Sequence, residues 1–123
     1  MNTALWIVQI LLAVAFLGAG VMKATQPREK LEKGLPWVAD FSTPVVRFIG
    51  VAEVLGGLGL VLPAATGIAP VLTPIAATGL AVTMVLAAVV HARRKEYQAI
   101  GINAVLLLLT VFVAWGRFGP YAL

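Results

Sequence analysis

FIGVAEVLGGLG, residues 48–59, sets one carboxylate, Glu53, in an otherwise unbroken run of aliphatic, aromatic and glycine residues. The run extends from Pro44 to Leu62 with only Arg47 and Glu53 charged. That is near the roughly 17–25 residues a helix needs to cross a hydrocarbon core. Working outward, three more stretches of this kind appear, over residues 4–24, 70–91 and 97–115. Lipid admits only helices or closed barrels as spanning structures, and no alternation of about ten residues marks a barrel strand. The sequence therefore predicts an all-α fold, an integral membrane four-helix up-down bundle forming a single domain over residues 1–123.

Composition agrees. Hydrophobic residues make up 61% of the chain and charged residues 11%, less than half the roughly 25% of a soluble domain. Mean hydropathy is +1.00. The first span is expected to be retained rather than cleaved as a signal, because no Lys or Arg precedes it and Lys23 follows it. Thr43–Pro44 and Thr73–Pro74 read as N-cap and first helical residue. Residues 25–43 form a surface loop, with two charged turns over PREKLEK closed by Gly34 and then LPWVADF, whose Trp37 suits headgroup depth.

Eight of the nine basic residues fall on one side of this topology. They are Lys23, Arg28, Lys30, Lys33 and Arg47 around the first loop, and Arg93, Arg94 and Lys95 in the third; Arg117 stands alone on the other side. The positive-inside rule then puts loops one and three in the cytoplasm and both termini outside, in what reads as a bacterial inner membrane. Confinement of the positive charge to these loops makes membrane topology, not nucleic acid, its explanation. The expected partners are membrane lipids, with other membrane proteins or further copies of the chain.

Glu53 lies about 13 Å in from Pro44, close to mid-bilayer, where a carboxylate normally faces the bundle interior with a partner. Arg47 is some 120° away around the same helix, so the partner must come from another span. Lys23, Arg47, Glu53, His91 and Asn103 all belong to the same half of the bundle, one or more from each helix, while the other half reads as nearly pure aliphatic. They form the expected polar cluster, as a ligand site or as a structural network. Lys23 and Arg47 also suit snorkelling to headgroups, His91 the capping of carbonyls, and Asn103 an interhelical hydrogen bond. Glu53 suits either an ion pair fixing register or a ligand- or proton-handling group. Gly50, Gly56 and Gly57 surround it at minus three, plus three and plus four, giving close helix packing or a slot beside the charge.

FLGAGVMK (16–23), VVRFIGVAEVLGGLGLVLP (45–63), LAVTMVLAAVVHARR (80–94) and an asparagine in the fourth span together resemble the DoxX-like family of small four-helix membrane proteins. The resemblance covers nearly the whole chain. It implies a helix-packing role for Gly18 with Lys23 at the end of helix one, a Gly50–Glu53 pair in helix two followed by Pro63, and His91 ending helix three. It further implies an accessory or partner subunit of a membrane redox system, quinone-linked, or alternatively a non-enzymatic assembly factor for other membrane proteins.

Chemistry narrows this further. With no cysteine and one histidine, the chain by itself lacks ligands for iron–sulfur clusters, bis-histidine haem or a metal centre, and it has no nucleotide-binding glycine pattern. No catalytic constellation can be assembled from one histidine and five acidic residues. The sequence names no cofactor; a slot ending in an acid, with basic groups near its mouth and aliphatic walls, suits an amphipathic ligand such as a quinone or a lipid headgroup, and redox chemistry requires a partner subunit. A transporter would call for an internal inverted repeat, which the sequence lacks.

Overall fold

The computed structural model describes residues 1–123 and is wholly helical. Four long helices, α1 (Asn2–Thr25), α3 (Thr43–Thr66), α4 (Leu72–Arg93) and α5 (Tyr97–Phe118), are each long and apolar enough to cross a membrane. Between α1 and α3 lie a short helix, α2 (Arg28–Gly34), and a 3-10 turn over Pro36–Asp40. The four-helix membrane bundle expected from the sequence is the architecture observed.

The first, second and fourth spans are a few residues longer than the apolar runs predict, and the third has the predicted length but starts and ends two residues later. Helix α3 continues through Pro63 to Thr66 and closes on Gly67, whose φ of 73° is the left-handed conformation that glycine adopts without penalty. Proline has no N–H, so the carbonyl four residues back loses its helical partner. That carbonyl, Gly59 O, accepts instead from Thr73 Oγ1 of α4 at 3.0 Å. Thr73 is thus not an N-cap, since α4 begins at Leu72, and its hydroxyl repairs the break that Pro63 makes in α3. Thr43 is likewise inside its helix, behind Ser42, and accepts a hydrogen bond from Arg28.

The helices pack in the ring order α1–α3–α4–α5, mainly as two pairs, α1 on α3 and α4 on α5. Glycine decides how closely the first pair approaches. A Cβ on Gly50 would lie 2.7 Å from Gly20 O and 2.7 Å from Ala24 N, and one on Gly20 would lie 2.6 Å from Gly50 O. Both clashes are with backbone, which cannot rotate away, so only glycine allows this crossing. A core of Leu12, Ala13, Phe16, Leu60, Ala77, Leu80, Met84 and Val113 fills the centre. Large apolar side chains such as Leu11, Phe48, Leu86 and Leu108 point outward, as a lipid-facing surface requires.

The segment between α1 and α3 is more ordered than a surface loop. Leu31, Val38 and Val46 form a second small core, flanked by Met22, Leu35, Trp37 and Phe41. Arg28 staples it. Its guanidinium donates to Glu32, Thr43 Oγ1 and the carbonyls of Val38 and Phe41, fastening the start of α2 to the middle of the 3-10 turn, to the residue that follows it and to the start of α3.

A candidate ligand cavity at the Glu53 end

Helix α3 buries Glu53 to 2% exposure and points it at α1, where Lys23 donates to Oε1 at 2.5 Å. Position sets this pairing: Gly50 and Gly20 bring the two backbones together one turn away, so the Lys23 stem reaches the carboxylate. The ammonium also stands 5.8 Å from the centroid of the Trp37 ring, a favourable cation–π distance. Arg47 joins from the other side by donating to Lys23 O at 2.8 Å.

Beside this pair is a cavity of about 700 Å³. Lys23, Glu53, His91 and Asn103 all line it, and Leu35, Trp37 and Phe41 of the connecting segment cover one side. The remaining wall is mostly apolar, from Ile49 and Ala52 of α3, Met84 and Val90 of α4 and Ile102 of α5, with Thr83 and, at the exposed rim, Arg93 as further polar lining groups. Arg47 is not part of the lining. A pocket of this volume, largely apolar with a few converging polar groups, has the character of a small-molecule site.

At the rim, His91 Nδ1 is 2.9 Å from Glu96 Oε1; since a carboxylate only accepts, the imidazole donates. This hydrogen bond holds the Glu96 carboxyl below its ordinary value, with the nearby Arg94 acting in the same direction and desolvation opposing both. Arg94 also pairs with Asp40 of the 3-10 turn, and that bond is the main cause of its raised pKa. A chain of four polar groups, His91–Glu96–Arg94–Asp40, therefore joins the end of α4 to the segment covering the cavity.

The glycines named from sequence separate. Gly50 packs on α1, Gly57 packs against Leu17 and Ala13 of α1, and Gly56 meets the Leu80 side chain of α4, so neighbouring helices occupy the space beside them. Gly18 has no atom within 4 Å of its Cβ position; the close approach attributed to it is made by Gly20.

The opposite half of the bundle is not pure aliphatic. Arg117, 3% exposed, donates through Nε to Gln9 Oε1 and through a terminal nitrogen to Asn2 Oδ1, both at 2.7 Å, and it stands 5.7 Å from the Trp6 ring. Gln9, itself fully buried, donates to Leu60 O at 2.7 Å. The signal was available: Gln9 interrupts the first apolar run and Arg117 is the single basic residue at that end.

The sequence pattern of the DoxX-like family matches residues 7–113, most of the chain and all four long helices in whole or large part. The chain belongs to the DoxX-like family. Comparison with curated proteins and with solved structures finds no match. This DoxX-like protein is thus an integral membrane protein by its family and by its four apolar helices.

Proposed function

We propose that this DoxX-like protein is an accessory or partner subunit of a quinone-linked membrane redox system, holding a lipophilic ligand in the cavity beside Glu53. The observation that carries the reading is one cavity combining a polar end, made by Lys23, Glu53, His91 and Asn103, with an aliphatic body. A quinone matches both parts. Its ring oxygens need hydrogen-bonding groups, and its isoprenoid tail needs apolar wall. When bound, the quinone supplies the electron and proton chemistry; the chain's own residues bind, orient and exclude water. Lys23 and His91 are the groups that would meet the ring oxygens, with Glu53 holding Lys23 in place.

In this reading the Glu53 end faces the bacterial cytoplasm, both termini lie outside, and the partner is another membrane protein or a second copy of the chain. Because the chain has no cysteine, single cysteines introduced at Lys30, Lys95 and Ile68 report the sidedness directly. An impermeant thiol reagent applied to intact cells should label position 68 alone.

Mass spectrometry of small molecules retained by the purified protein tests the ligand. A quinone present in the wild type and lost in a folded Glu53→Gln variant supports the reading. A specific observation favours an alternative, a non-enzymatic assembly factor: the Lys23–Glu53 bond and the Gly20–Gly50 crossing lock α1 to α3 without any ligand. No specific small molecule in either sample would make that alternative the better account.

A further inference from the structure

The polar groups of the cavity are unevenly matched. Asn103 is 8% exposed, its side-chain nitrogen donates to the Met84 thioether at 3.4 Å, and its Oδ1 is buried without a partner. The neighbour fixes the amide's orientation: a thioether only accepts, so the NH₂ group faces it and the oxygen is left over. Glu53, ionised, is acceptor-only as well. His91 already commits Nδ1–H to Glu96. The pure donors of the lining are Lys23, which gives one of its three N–H groups to Glu53, and Arg93 at the exposed rim, so Asn103 Oδ1 is the buried lining atom left without a partner.

Two more features bear on what would fit. The charges of Lys23 and Glu53 offset each other, so the inner end favours an uncharged head group; a buried unpaired ion would be costly. The lining residues Phe48, Leu86 and Ile102 are 73%, 62% and 63% exposed on the apolar outer surface, so the cavity's lips lie toward lipid.

We infer that the cavity takes an uncharged lipophile whose head group bears a hydroxyl, admitted from the bilayer, with the hydroxyl donating to Asn103 Oδ1. The inference rests on the ligand site proposed above and specifies it. Of a quinone and its hydroquinone, which differ by two hydroxyl hydrogens, the site selects the hydroquinone, because only that form can donate. A glycerol-headed lipid shares this chemistry.

Anaerobic titration calorimetry on the full chain in detergent micelles tests it with four probes of equal tail length: decylhydroquinone, decylbenzoquinone, the dimethyl ether of decylhydroquinone, and monodecanoylglycerol. The hydroquinone should bind about tenfold more tightly than the quinone and the diether, the value of one hydrogen bond to an otherwise unpaired buried acceptor. Asn103→Leu should reduce that ratio to about twofold or less. The wild-type ratio decides the question even if the variant does not fold. A quinone that binds as tightly as the hydroquinone overturns the inference and leaves the proposed function standing. Monodecanoylglycerol matching the hydroquinone upholds the hydroxyl rule and overturns the quinone assignment. No binding by any probe overturns both.

Discussion

The two ends of the bundle solve the same problem in opposite ways. At the Arg117 end, hydrogen bonds join all four long helices: Gln9 to α3, Arg117 to α1, and Thr73 of α4 to the carbonyl Pro63 leaves free. At the Glu53 end, side-chain bonds join α1 to α3 and α5 to α4, and none joins one pair to the other directly. The link between pairs there is indirect, through Arg94 and Asp40 of the covering segment. One end is tied shut and the other is held apart around a cavity. A bundle closed at both ends has nowhere to put a ligand, and one open at both has no fixed site. Polar residues in these helices thus serve two purposes: at the Arg117 end they bond helix to helix and close the bundle, and at the Glu53 end they line a cavity.

That contrast can be broken most severely at the closed end. Gln9→Leu should lose about 3–5 kcal/mol of stability in detergent unfolding, because it leaves the Arg117 charge buried with one fewer acceptor and Leu60 O without its donor. Adding Arg117→Met should recover part of the loss, since an apolar pair strands no charge. If Gln9→Leu has no effect, this end is not the tie described.

The next effect is expected at the α1–α3 crossing. Gly50→Ala should cost about 1–3 kcal/mol, since its methyl meets backbone at 2.7 Å and the helices must separate. Gly18→Ala, with open space around it, should be neutral or stabilising by up to about 1 kcal/mol through helix propensity. Equal effects in the same unfolding assay would remove the distinction between the two glycines.

At the open end, stability and binding should separate. Glu53→Leu alone should cost about 1–3 kcal/mol, less than Gln9→Leu, because Lys23 sits near a helix end with a side chain 13% exposed and can turn toward headgroups. The double variant Lys23→Met with Glu53→Leu should return near wild-type stability while failing to retain ligand. A double variant that keeps its ligand would argue that the pair only sets register.

The smallest effect concerns the cover. Asp40→Asn should change global stability by less than about 1 kcal/mol, as exposed ion pairs generally do. Hydrogen exchange within residues 26–42 should nonetheless rise. Acid should act in the same place. The lowered Glu96 carboxyl adds stability that is present above the ordinary carboxylate pKa and lost as pH falls through its own lower value. Protection of residues 26–42, taken relative to the intrinsic exchange rate at each pH, should therefore be high at neutral pH and fall in acid below the ordinary carboxylate range. It should fall less in Glu96→Gln.

By itself the sequence determined the four spans and the half of the bundle in which Lys23, Glu53, His91 and Asn103 lie. Both are local matters: in lipid each helix must satisfy its own backbone, so length and hydropathy along the chain suffice to find it. Only the tertiary structure decided which faces meet. These helices are apolar nearly all round, so no polar stripe announces an interface. That is why Gly20, not Gly18, proves to be the partner of Gly50, and why Arg117 finds Gln9 across 108 residues. It is also why Thr73, which reads as a cap, instead completes the helix that Pro63 interrupts. The cavity itself belongs to no segment. It exists because two tightly packed pairs, tied at one end, leave unfilled volume between them at the other.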